Sequence, residues 1–311
     1  MFNEKKYLFF DIETTGLSPD VSAITLIGCC HFDGTILQWF NKDGFSQKEI
    51  LKDFLDYIVS YDTLISYNGT TFDLPFLESK IREYHLDNPL DHMKHIDLYQ
   101  VLSPFRHLFP MKRFRQKDLE NYLGIIRNDN LTGKKIIKTY QTFLETGNTE
   151  LKELLLLHNR EDLTGLVSVS SLTCYLSLEK GEFQITRCKQ KEDCLEISIS
   201  LKQPWSKPLV LEKDCMNLSI KDTSATFICY YQNGLLKHYY PNPEDYYYLP
   251  EEDIVLPKAM GSMVDKSIRI PATADKCYSK FVPGKDFVNH NEDLYIFCKH
   301  NIYYLLRKEH K

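Results

Sequence analysis

The sequence lacks an apolar run of the roughly 18–20 residues that a membrane-crossing helix needs. It lacks a CxxC pair. Its nine cysteines are scattered and odd in number, which argues against a disulfide framework and fits a reducing compartment where thiols act as small buried hydrophobes. Cys29-Cys30-His31 is adjacent rather than ligand-spaced, and strand neighbours point to opposite faces, so it reads as core and edge residues. Positive charge is not in excess: a formal net charge of −5 argues against non-specific coating of nucleic acid but leaves room for a local grip on a few phosphates. There is no internal repeat and no low-complexity tract. The opening MFNEKKYLFFDIETTG sets two lysines before a short apolar run, as a signal peptide does, yet the run ends at Asp11 and Glu13 without a small-residue cleavage site. It reads as a first strand, and the expected location is the cytoplasm.

The 311 residues suffice for two domains at about 150 residues each. Tyr7–Asp11 is almost wholly apolar, as a central buried strand should be. Ala23–Cys30 and Thr35–Phe40 read as two more strands around the turn His31-Phe32-Asp33-Gly34. Ile50, Leu51, Phe54, Leu55 and Ile58 recur at helical spacing over Ser46–Val59, with Ser46 as the cap. Thr63–Ser66 is a fourth strand, Phe72–Tyr84 a helix and His95-Ile96 a short fifth strand. Helices follow over Asp118–Tyr122, Lys134–Leu144 and Leu151–Ser177. The pattern predicts an α/β fold, a mixed sheet flanked by helices, over residues 1–178. Past Glu179-Lys180-Gly181 come short alternating stretches, Leu195–Leu201, Leu218–Ile220, Thr226–Tyr231, Leu235–Tyr240 and Asp293–Cys298, which predict a smaller β-rich domain over 182–311.

Three features carry chemistry. Asp11 and Glu13 lie two apart at the end of an apolar strand, so both carboxylates leave from one face, and Thr14-Thr15-Gly16 follows where a backbone can approach closely. Asp73 follows the loop Tyr67-Asn68-Gly69 near a helix start, where it could equally be a cap. His158 and Asp162 are four apart, hence on one helix face, between the apolar runs Leu154–Leu157 and Leu163–Leu166; taken alone, such a pair is more often a structural hydrogen bond.

Taken together, Phe9-Phe10-Asp11-Ile12-Glu13-Thr14-Thr15-Gly16-Leu17, then Tyr67-Asn68-Gly69 with Phe72-Asp73-Leu74-Pro75-Phe76-Leu77, then His158 to Asp162 resemble the three motifs of the DEDD 3′→5′ exonuclease superfamily, in particular its ribonuclease-H-like group of YprB type. The resemblance covers about residues 1–178 and implies a ribonuclease-H-like sheet. It also implies two Mg²⁺ or Mn²⁺ ions on Asp11, Glu13, Asp73 and Asp162. Hard cations suit oxygen ligands and relieve the repulsion of clustered carboxylates. A pair of them can hold the attacking and leaving oxygens of a phosphodiester. Asp11 would bridge both ions, Glu13 and Asp162 complete the water-activating site, and Asp73 serve the second ion. Thr14 would meet the terminal nucleotide through its backbone, Leu17 would wedge between the last bases, and Asn68 and Phe72 would hold the 3′ end. One family branch has Tyr four residues before the last Asp and the other has His five before it. This chain has His158 at the tyrosine spacing, where it could orient or deprotonate water.

Lys112, Arg113 and Arg115, with Lys117, pack four cations around Phe114 and read as a phosphate-gripping loop, with Lys134-Lys135 as an extension. Asp97 reads as a cap. Tyr239, Tyr240 and Tyr246–Tyr248 could stack on bases, though ordinary packing is the commoner role. The expected function is a metal-dependent nuclease removing nucleotides from the 3′ end of single-stranded DNA or RNA. A structure-selective endonuclease on the same fold is the rival enzyme reading, and a nucleic-acid-binding or adaptor protein with a residual nuclease fold is the non-enzyme one.

Overall fold

Tyr7–Thr14 forms β1, and three of its apolar residues, Leu8, Phe10 and Ile12, alternate onto a face covered by Leu51, Phe54, Phe76 and Leu77. The computed structural model describes residues 7–129 and 131–308, so the two leading lysines lie outside the described residues. Around β1 are β2 (Ile24–Cys30), β3 (Ile36–Phe40), β4 (Thr63–Ser66) and β5 (Lys94–Asp97). The sheet order is β3-β2-β1-β4-β5, with β1–β2 and β2–β3 antiparallel and β1–β4 and β4–β5 parallel. This is the mixed, ribonuclease-H-like sheet the element order predicts.

Helices cover it. α1 (Gln47–Ile58) and α2 (Asp73–Tyr84) pack on the face just described. After α3 (Leu98–Leu102) come α4 (Gln116–Leu123), α5 (Gly133–Thr146) and α6 (Thr149–Val169); α6 packs on β1 and β2. Gly28 on β2 lets α6 come close, because an added Cβ would overlap the Asn159 amide oxygen and meet Leu163 Cδ1. Ser46 is the N-cap residue of α1 as expected, but its side chain makes no capping bond: its hydroxyl donates to Asp43 Oδ2 at 2.6 Å, and Asp43 holds the turn before the helix by accepting from the backbone N–H groups of Phe45 and Ser46. The long helix expected to reach Ser177 stops at Val169, and a 3₁₀ turn over Ser170–Thr173 separates it from α7 (Cys174–Glu179). The Ser170 hydroxyl donates to the Val167 carbonyl at 2.6 Å, a local bond that competes with helix continuation.

The chain forms two compact units, one of residues up to 103 and 111–171, the other of 104–110 and 172 onward. The second unit is β-rich. β6 (Phe183–Gln190), β7 (Cys194–Lys213) and β8 (Met216–Tyr230) form an antiparallel sheet. The two stretches read as separate strands, 218–220 and 226–231, fall in the single strand β8, with Tyr231 just past its end; β8 continues through Lys221–Ala225, where its register against β7 shifts. β9 (Leu236–Tyr239) pairs with β13 (Tyr278–Phe281), and β10 (Tyr246–Leu249) pairs with β11 (Ile254–Pro257) and β12 (Ile270–Pro271). After the short α8 (Lys285–Asn289) comes a correction: Asp293–Cys298 is not a strand but lies within α9 (Asn291–Leu306). Leu294, Phe297, Cys298, Ile302 and Leu305 are buried at helical spacing, a period that the six-residue window was too short to reveal. The tyrosines of this unit pack on one another: Tyr239 stacks on Tyr304 with centroids 3.6 Å apart, and Tyr240 on Tyr246 at 5.1 Å.

Candidate active site

The face of β1 opposite its apolar core carries Asp11 and Glu13, and α6 lies over it. The Asn159 amide donates from Nδ2 to Asp11 Oδ2 at 2.9 Å, while Asn159 Oδ1 accepts from Gln38 at 2.9 Å. Asn159 is fully buried, so its two bonds fix the amide and hold Asp11 against the helix. Asp73 begins α2, and its Oδ1 accepts from the Ile12 backbone N–H at 3.2 Å, between the two β1 carboxylates in sequence. His158 and Asp162 come down from α6. His158 Nε2 is 3.0 Å from Asp162 Oδ2 and 3.4 Å from Glu13 Oε1. Asp11, Glu13, Asp73, His158 and Asp162 thus line one cavity of about 490 Å³.

The electrostatics follow from crowding. Burial holds the Asp11 carboxyl well above its usual range, and repulsion from Asp162, Glu13 and Asp73 adds to it. Glu13 is raised in the same way, by burial and then by Asp162 and Asp73. Burial pushes Asp73 up to about 7 against the backbone bond from Ile12. Asp162 goes the other way: burial opposes its ionisation, but the His158 hydrogen bond and the Arg127 guanidinium outweigh it. Burial likewise opposes a charge on His158, yet contacts with Asp162 and Asp129 raise it. Oxygen donors held reluctant to ionise together are the donor set that a hard divalent cation suits. Ligand atoms of Glu13, His158 and Asp162 all lie within 4.8 Å of one another, which makes these three a possible metal-binding group.

The loop between α4 and α5 supplies residues that the sequence reading passed over. Arg127 Nη1 is 2.6 Å from Asp162 Oδ1, and its Nε and Nη2 take the two oxygens of buried Glu120 at 2.5 Å each. Asp129 Oδ1 is 2.8 Å from His158 Nδ1. Glu161 accepts from the backbone N–H groups of Asn128 at 2.9 Å and Asp129 at 3.0 Å, so α6 itself pins this loop. Neither loop residue carries a motif or an apolar period, and the sequence signal was confined to a cluster of charges.

The other predicted residues divide. Asn68, with φ of +64°, and Phe72 line the cavity, as does Arg115. Arg115 also pairs with Asp118 at 2.9 Å at the start of α4. Lys117 lines it too, 3.8 Å from Asp129 Oδ2. Lys112 and Arg113 are exposed but are not among the lining residues. Thr14 and Leu17 do not line it: the Thr14 hydroxyl donates to the Gly16 carbonyl, and Leu17 stands 85% exposed just beyond β1. Lys134 and Lys135 are exposed on α5, whose first turn, Gly133 and Ile136, borders the cavity. Asp97 is the expected cap, accepting from Tyr99 at 2.9 Å, and it also holds the backbone of Asn68 at 2.7 Å.

A family model described as RNase_H superfamily matches residues 8–173. Among curated proteins the chain is similar to the uncharacterised protein YprB of Bacillus subtilis (strain 168), 27% identical over 175 residues, 54% of this chain and 42% of YprB, so the match spans less than half of that relative. It is also similar to the uncharacterised protein MJ0365 of Methanocaldococcus jannaschii, 28% identical over 160 residues, 49% of this chain and 86% of the relative. Among solved structures, the family B DNA polymerase of Pyrobaculum calidifontis aligns with a TM-score of 0.46 at 17% identity, over 56% of this chain and 25% of the polymerase. A structure described as the apo form of a nuclease aligns with a TM-score of 0.38 at 15% identity, over 57% of this chain and 76% of that one.

Proposed function

We propose, from the premise that this chain belongs to the ribonuclease H superfamily, that the cavity hydrolyses phosphodiester bonds of single-stranded DNA or RNA, releasing nucleotides from a 3′ end. One observation carries the reading: four carboxylates from three separate elements, β1, α2 and α6, converge on a single cavity that basic residues also border. Asp11, Glu13, Asp73 and Asp162 would hold two Mg²⁺ or Mn²⁺ ions, which would supply charge neutralisation and polarisation of the phosphate when bound. His158 directs Nε2 toward Glu13 and Asp162, where it would orient or deprotonate the attacking water. Arg115 and Lys117 line the cavity and would meet the phosphates, and the N-terminal turn of α5, where helix N–H groups favour an anion, borders it beside them. Asn68 and Phe72, which line the cavity, would hold the sugar and base of a terminal nucleotide. The 3′ polarity rests on the family resemblance of the three motifs.

The test is degradation of 3′- and 5′-labelled DNA and RNA oligomers with Mg²⁺, Mn²⁺ or EDTA, beside circular single strands. Shortening from the 3′ end that EDTA abolishes and Asp11→Asn removes is the expected result. Cutting of the circles would move the reading to an endonuclease. Absence of any metal-dependent product would overturn it.

A further inference from the structure

The second unit holds a cavity of about 270 Å³ that the chemistry above does not use. It lies among β9, β13, α8 and α9. His238 sits opposite Ser279 in the β9–β13 register, and Phe281, Phe287, Asp293 and Ile296 complete the lining. Phe281 and Phe287 stand edge-on to one another, with centroids 4.9 Å apart at 72°. Both also pack edge-on with Phe297, at 5.9 and 5.5 Å. Phe297 has no exposure and anchors the other two rings. Phe281 and Phe287 are only half-buried, so each keeps ring surface open to the cavity. The His238 ring is edge-on to Phe297 at 5.7 Å, and its Nε2 is spent on His300 Nδ1 at 3.0 Å.

Charge restricts what this cavity takes. Among the described residues no lysine or arginine lines it. Lys237 and Lys280, the chain neighbours of His238 and Ser279, alternate onto the opposite face, where they pair with Asp214 at 2.9 Å and with Asp253. Burial, with His300 adding to it, pushes His238 down to about 4, so its imidazole is neutral at about pH 7. The charged group of the lining is Asp293, 63% exposed and therefore at the mouth. Its Oδ2 is 3.0 Å from His290 Nδ1, and its Oδ1 has no partner among the described residues. A phosphate would meet a carboxylate and no cation. A positive group would meet the negative faces of the rings and a counter-charge beside them. Hydrogen bonding narrows the choice of cation. A guanidinium brings five N–H donors and a primary ammonium three. The walls are mainly phenylalanine and isoleucine, and the Ser279 hydroxyl already accepts from that of Tyr240 at 3.0 Å. Buried donors without acceptors are costly, whereas an alkylated ammonium carries its charge without them. We propose that this cavity binds a quaternary or methylated ammonium group, held against Phe281 and Phe287 with Asp293 as its counter-charge. The site is independent of the nuclease reading.

The experiment compares choline with 3,3-dimethylbutan-1-ol, which has the same shape and no charge. Each is titrated into the full chain while phenylalanine ring resonances are followed by ¹H–¹³C NMR. Choline should shift the Phe281 and Phe287 signals to saturation and bind at least about 10-fold more tightly than the alcohol. Asp293→Asn, at an exposed position where the fold is retained, should weaken choline by at least about threefold and leave the alcohol unchanged. A short peptide carrying trimethyllysine, beside its unmodified form, separates two sources of the group. Tighter binding of the modified peptide than of choline assigns a protein side chain, tighter binding of choline assigns a small molecule, and both uphold the site. Equal binding of choline and the alcohol overturns the proposal, because the cavity would then be apolar only. Methylguanidinium or adenosine binding as tightly as choline overturns it too, as does equal binding of the unmodified peptide. So does the absence of any saturable shift by about 100 mM choline, a result that needs no variant to fold.

Discussion

Arg127 Nη1 stands 2.6 Å from Asp162 Oδ1, with the two side chains 9% and 17% exposed. A cation is thus committed to one oxygen of a candidate metal ligand, while the other oxygen faces His158. The same guanidinium neutralises Glu120, which is 1% exposed. Arg127→Met leaves buried Glu120 without its cation and Asp162 with His158 alone, and should destabilise the first unit by about 3–5 kcal/mol. Urea denaturation measures it, and a loss below about 1 kcal/mol would show the pair to be dispensable to the fold.

The raised carboxylates make stability depend on pH and metal together. Asp73 is pushed from 3.8 up to about 7 by burial, so the folded state holds this proton more tightly than the unfolded chain. Its stabilising contribution is complete below about pH 4 and is lost as pH rises through about 7. Asp11 and Glu13 shift in the same direction. Without divalent cation, the thermal midpoint should fall between about pH 5 and pH 8, and Mn²⁺ should restore about 4 °C or more at the upper end and little at the lower. Equal stabilisation by Mn²⁺ at both pH values would contradict this account.

The repulsion that favours metal binding should also oppose folding of the metal-free chain. Asp73→Asn keeps an oxygen to accept from the Ile12 N–H and removes one ionisable group. At about pH 8 without metal it should stabilise the protein by roughly 1–2 kcal/mol, with no gain near pH 4, while nuclease activity falls by at least about 100-fold. A variant less stable than wild type at both pH values would show that Asp73 serves the fold.

Gly28 links packing to the site. A Cβ there overlaps the Asn159 oxygen, and Asn159 is what binds Asp11. Gly28→Ala should cost about 1–3 kcal/mol from overpacking and also lower activity by displacing Asp11. Denaturation and oligomer degradation read the two effects. Full activity in a destabilised variant would uncouple them.

Much of this was legible in the sequence for identifiable reasons. The apolar run over 8–10 marks a central strand, and the two-residue spacing of Asp11 and Glu13 puts both on one face. The four-residue spacing of His158 and Asp162 likewise does so on α6. These are local periods. What stayed hidden depends on contacts distant in sequence. Asn159 is adjacent to His158 and has no distinguishing pattern, since its role arises from meeting Asp11 across 148 positions. Arg127 and Asp129 sit in an irregular loop where charge is ordinarily solvated, and their burial comes from α6. Helix α9 was misread because Asp293–Cys298 is a short, mostly apolar window, and the 3.6-residue period shows only over the longer span from Leu294 to Leu305.

The passage of residues 104–110 into the second unit has a consequence for inheritance and for dissection. Phe105 and Phe109 place their rings 5.8 and 5.0 Å from that of Tyr175, beyond the end of α6. A fragment cut after residue 171 would keep both phenylalanines and lose the ring they pack on. The two units are therefore interleaved along the polypeptide. A gene fusion or deletion with a single breakpoint could not trade the second unit for another without also rewriting a seven-residue strip in the middle of the first.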